Sequence, residues 1–144
     1  MSHGRGPLSE RQKLAWLRLI RSENVGPATF LTLINRFGGA EAALEALPDL
    51  AARGGSRRIR IASEADAQAE WATAERLGAR FVCRGEPDYP AILNVTEAAP
   101  PVLAIMGDAA LLSRPGLAVV GSRNASLAYS SFGHGVSRLA LDMP

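Results

Sequence analysis

The chain has 144 residues, 47% of them hydrophobic and 21% charged, with a net charge of +2 and a pI near 9.2. That composition excludes a disordered chain and suits one good core or two small ones. No apolar run approaches the ~20 residues that span a bilayer, and the opening "MSHGRGPLSERQ" lacks the apolar stretch of a secretory signal.

Cys83 is the single cysteine, so no intramolecular disulfide can form, which suits a reducing cytoplasm. It lies in the apolar run "RFVCR" and reads as a buried small hydrophobe rather than a nucleophile. Lys13 is the sole lysine, so nearly all positive charge is arginine. Arginine forks pair with phosphate and stack on bases better than lysine does. A codon bias would enrich arginine too, so composition permits a nucleic-acid partner without demanding one.

Residues 1–8 read as a loose tail. Ser9 and Gln12 form a capping box before "KLAWLRLI", where Leu14, Leu17 and Ile20 recur at helical spacing. Gly26-Pro27 marks a turn, with Pro27 suited to a first helical position. Phe30, Leu33, Ile34 and Phe37 follow as an amphipathic stripe, which Gly38-Gly39 ends. A short helix is expected through Ala42, Ala43, Leu44 and Leu47, with Pro48 opening the next. "RGGSRRIR" at 53–60 is a basic connection, and Ser63 caps a further helix that Gly78 stops.

After Gly78 the pattern changes. "RFVC" predicts a strand, "PDYPAIL" a turn with an anchoring Tyr89 and a short helical piece, and "PPVLAIMG" a second strand. "ALL" predicts a helical turn, and "LAVVG" a third strand, wholly apolar as buried parallel strands are. A helix is expected from Ser126, weakened by Gly133 and Gly135. The fold class expected is therefore α + α/β. A small helical domain at 9–78 precedes the beginning of a Rossmann-like parallel-sheet domain at 79–144, which reads as incomplete because a strand and helix are half of a βαβ unit.

The chemistry concentrates at "LAVVGSRNAS", residues 117–126. Ligands bind at the ends of parallel strands, where a glycine lets the backbone turn and a helix N-terminus offers free N–H groups. Ser122, Asn124 and Ser126 add donors and Arg123 adds a forked charge, so the segment suits a phosphate. A plain turn at Gly121 and Asn124 with Ser126 as helix cap accounts for the same residues. Neither G-x-x-x-x-G-K-[ST] nor G-x-G-x-x-G is present, which disfavours ATP hydrolysis and dinucleotide binding. His3 and His134 form no metal-ligand spacing, and no catalytic triad signature stands out. No cofactor, metal or catalytic residue is expected.

"PDYPAIL", "APPVLAIMGD" and "LAVVGSRNAS", in that order, resemble the DNA-processing protein A family, also called Smf. "NVGPATFLTLINRFGGAEAAL" is similar to the helix-hairpin-helix-like, or sterile-alpha-motif-like, domain that precedes the Rossmann-like domain in that family. The resemblance implies binding rather than catalysis: single-stranded DNA held and protected in natural transformation, with loading of the RecA recombinase, in a homodimer. It implies that Gly121, Ser122 and Arg123 contact a DNA phosphate, with Asn124 and Ser126 shaping the turn or assisting. The chain departs from the family in "NASLAYSS", where Tyr129 is displaced and lacks a neighbouring glycine. Arg57, Arg58 and Arg60, in the basic connection, are a secondary DNA strip or a solvated linker. A nucleotide-processing Rossmann-like enzyme and a protein-interaction module built on the helical domain are the alternative readings.

Overall fold

The computed structural model describes residues 7–53 and 59–116. The chain divides into two compact units, Met1–Ser113 and Arg114–Pro144, and every described helix and strand belongs to the first.

Helix α1 spans Glu10–Arg21, and its capping box closes in both directions. The Gln12 N–H donates to Ser9 Oγ at 3.3 Å, and the Ser9 N–H donates to Gln12 Oε1 at 2.9 Å. Helix α2, Pro27–Phe37, starts with proline at its first position and ends on Gly38 in the left-handed region, φ +80°. Helix α3, Ala40–Arg53, corrects the expected break at Pro48, which lies inside it. An internal proline costs about 3 kcal/mol in an exposed helix. Here the buried stripe of Ala40, Ala43, Leu44, Leu47 and Ala51 runs through the site, so packing carries the helix past the proline. Helix α4, Glu64–Arg76, is capped by Ser63 and stops before Gly78 at φ +73°.

Strand β1, Ala79–Cys83, leads through the one-turn helix α5, Ala91–Asn94, to strand β2, Val102–Met106, and a 3-10 turn over Ala109–Ser113. The two strands pair antiparallel, with Phe81 opposite Ala104 and Cys83 opposite Val102. The parallel Rossmann-like sheet is therefore not what the described strands form; the expected third strand, 117–121, lies outside the described residues. The reversal has a local cause. The chain folds back at the end of β1, where the Glu86 N–H bonds Cys83 O and the Tyr89 N–H bonds Glu86 O. Four-residue α5 is about 6 Å long and cannot return the chain along a strand of about 17 Å. The Arg84 N–H to Pro101 O bond, 2.8 Å, then extends the ladder beyond Cys83.

Both faces of β1 are covered from Phe81 to Cys83, while β2 leaves Ala104 and Met106 exposed. Phe81 and Cys83 face the helices, beside Leu17, Ala67, Trp71 and the α1–α3 core, while Val82 and Ile105 pack with Tyr89 on the other side. The main core joins α1, α2 and α3 around Leu19, Phe30 and Ala43, with Trp16 edge-on to Phe30 at 4.9 Å. A two-strand ribbon is marginal alone; this one is held by the helical layer.

Candidate nucleic-acid interface

Gly121, Ser122, Arg123, Asn124 and Ser126 lie outside the described residues, as do Arg57 and Arg58. Arg60 is described, and its surroundings connect two segments that the sequence left apart.

The α1–α2 hairpin turns through Asn24, whose φ of +61° is left-handed. Asparagine is among the few residues besides glycine that tolerate that region. Val25 inserts into the core beneath the turn. At the start of α2, Pro27 has no N–H, which leaves only Ala28 and Thr29 without the usual helical acceptor in the first turn.

Segment 60–62 is stitched to this hairpin. The Glu23 N–H donates to Arg60 O at 2.9 Å, and the Arg60 N–H donates to Glu23 Oε2 at 3.0 Å. Ser22 Oγ accepts from the Ala62 N–H and donates to Arg18 O, and Arg18 Nε donates to Ala62 O. The basic connection thus ends beside the hairpin, with the Arg60 side chain exposed. The Arg11–Glu41 bridge, 2.7 Å, sets the starts of α1 and α3 together.

Most other described arginines are committed. Arg21 grips Glu70 through two nitrogens, Arg80 pairs with Asp88 at 2.8 Å, and Arg84 bonds Asn94. The Glu70 bond raises the Arg21 pKa further. Among the described residues, ion pairs hold Arg11, Arg21 and Arg80, while Arg53 and Arg60, like Arg18, Arg36, Arg76, Arg84 and Arg114, are in none.

Lys13 has another task, which sequence reasoning missed. Its ammonium pairs with Glu86 Oε2 at 2.9 Å and donates to Phe81 O at 3.1 Å. The Glu86 side chain is only 6% exposed. It also accepts from the Cys83 N–H at 2.7 Å and the Leu8 N–H at 3.1 Å. One carboxylate therefore ties the segment before α1, α1 itself and the end of β1. The available signal was spacing: Lys13 sits at i of the i, i+4, i+7 stripe with Leu17 and Ile20, a position that buries a charge and so requires a partner.

Cys83 is buried and free, as expected. Burial, and then the Glu86 charge, push its thiol up to about 12, partly offset by Lys13, so it carries almost no thiolate near neutrality. Tyr89 is the anchor expected of the turn: its hydroxyl donates to Pro100 O at 2.7 Å, and burial raises its pKa. Among the described residues there is no cluster of metal-ligating side chains, and no helix is long and apolar enough to cross a membrane.

Two family models match the chain. The DprA-like N-terminal HHH domain matches residues 10–73, and DNA recombination-mediator protein A matches residues 80–140. The chain belongs to the DNA-processing protein A family. Membership makes it a DNA-binding protein of recombination and transformation. The first match begins with α1 and ends within α4, and so takes in the hairpin and the basic connection; the second begins in β1 and covers Gly121–Ser126. No curated protein matches the chain.

Proposed function

We propose that this member of the DNA-processing protein A family holds single-stranded DNA in the cytoplasm by its phosphates and passes it to the RecA recombinase, acting as a homodimer and as a binder rather than an enzyme. One observation carries the reading: the DNA recombination-mediator protein A match, residues 80–140, spans the segment that holds Gly121, Ser122 and Arg123. Gly121 lets a phosphate approach the backbone, Ser122 donates a hydrogen bond and Arg123 supplies a forked charge-assisted pair, with Asn124 and Ser126 as further donors. Arg60, next to the hairpin, and Arg57 and Arg58, which precede it in the sequence, would form a second contact strip along the strand. A cationic track for the backbone, indifferent to base sequence, is what single-strand binding requires.

Fluorescence anisotropy of a labelled oligo-dT, at about 50 and about 200 mM salt, tests this. Binding to the 144-residue chain should weaken linearly on a log-log plot. Arg123→Ala should lower the affinity and flatten the slope by about 0.7, the value for one lost phosphate contact on a single strand. An unchanged affinity and slope in Arg123→Ala would remove the turn from the binding site.

A further inference from the structure

We propose that a cleft beside Trp71 takes one nucleobase of the bound strand, separately from the phosphate site at Arg123; the inference rests on the single-strand reading above. The cleft, about 280 Å³, lies where α4 meets α1 and β1 and is lined by Lys13, Trp71, Phe81, Arg80, Glu10 and Glu75. It has room for a single planar heterocycle and is smaller than most ligand pockets.

Trp71 is unusual for its helix. Ala67 is the only buried residue of α4, and Trp71 remains partly exposed on it. Its indole is fixed from two sides: the ring packs on Phe81 with centroids 5.1 Å apart, and Nε1 donates to Glu75 Oε1 at 3.0 Å. A fixed, partly open indole is a stacking platform whose ordering cost has already been met within the fold.

The polar groups around it match a base rather than a phosphate. Lys13 carries three N–H donors; Glu86 and Phe81 O take two, leaving one for the cleft that Lys13 lines. That donor suits a ring carbonyl. The carboxylates of Glu10 and Glu75 suit an amino or imino N–H. Lys13 is paired with Glu86 and Arg80 with Asp88, so Glu10 and Glu75 leave the lining acidic on balance. Such a site does not favour an isolated anion, and it offers both donors and acceptors to a neutral planar ring.

The test compares a short oligo-dT with an abasic oligomer of equal phosphate count, both titrated into the full chain while tryptophan emission is followed. Trp16 is buried in the core at 8% exposure, so quenching reports on Trp71. Oligo-dT should quench and the abasic strand should not. Trp71→Phe should abolish the quench while largely keeping the affinity. Trp71→Ala should weaken oligo-dT roughly 5- to 150-fold, the range for one lost base stack, and leave the abasic strand unaffected. Arg123→Ala, by contrast, should weaken both strands alike. Equal binding of the two strands, or oligo-dT affinity unmoved by Trp71→Ala, would overturn the base site and leave the phosphate reading standing. Quenching by thymidine monophosphate at the same concentrations would make this a free-nucleotide site and overturn it too. If neither strand binds, both readings fall.

Discussion

Replacing Lys13 by methionine should damage this protein more than replacing any single surface arginine. The substitution keeps the apolar stem and removes the charge from a pair whose side chains are 19% and 6% exposed. Removing one partner of a buried ion pair costs about 3–5 kcal/mol, because the remaining charge is left uncompensated. Glu86 keeps the backbone donors of Cys83 and Leu8, and Lys13 is partly hydrated, so the lower end, about 3 kcal/mol, is expected. For a unit of this size that is a fall in Tm of more than about 10 °C. The Arg11–Glu41 bridge provides an internal comparison. Its distance is similar, 2.7 Å, but its side chains are 86% and 50% exposed, and Arg11→Ala should cost no more than about 1 kcal/mol. Urea unfolding followed by tryptophan emission measures both. A double-mutant cycle of Lys13→Met with Glu86→Gln should give a coupling of about 1–3 kcal/mol. If Lys13→Met costs as little as Arg11→Ala, or the cycle closes without coupling, burial is not what gives this pair its weight.

Two further predictions follow from the same core and the hairpin above it. Cys83 should resist thiol reagents at pH 8 and react only as the chain unfolds; because its folded pKa is raised from 9.0 to about 12, the unfolded state loses the proton first, so stability should hold below about pH 9 and fall by up to about 1.4 kcal/mol per unit above it. Rapid native-state labelling at pH 8, or no alkaline loss attributable to Cys83 against a Cys83→Ala control, would refute this. At the left-handed Asn24, Asn24→Ala should cost about 1 kcal/mol and Asn24→Gly much less; thermal melts of the two variants check it, and equal melting points would mean the hairpin does not depend on that φ.

Much of the fold was legible because its signals are local. The Ser9–Gln12 box, the Ser63 cap and the left-handed glycines at 38 and 78 are satisfied within a few residues, and they bound α1, α2 and α4 where the sequence places them. Tyr89 and Cys83 were legible from their neighbours, a Pro-flanked turn and an apolar run. Where a local rule failed it was overruled from outside: Pro48 should end α3, but the stripe on either side of it packs on α1 and α2, and burial outweighs the lost bond. For the proposed phosphate contact, the spacing of "GSRNAS" and its family resemblance were the available signals, and those residues lie outside the described structure.

By itself the sequence determined which segments are helix or strand and which side of each is apolar, since periodicity and caps act over one or two turns. Only the tertiary structure decided which way the strands pair and what the lone lysine holds. A continuous apolar run is silent on the direction of the neighbouring strand. Lys13 meets Phe81 at a sequence separation of 68, and Leu8 meets Glu86 at 78. No local preference encodes such contacts. They exist because folding brings a charge that α1 must bury to a buried carboxylate that can receive it.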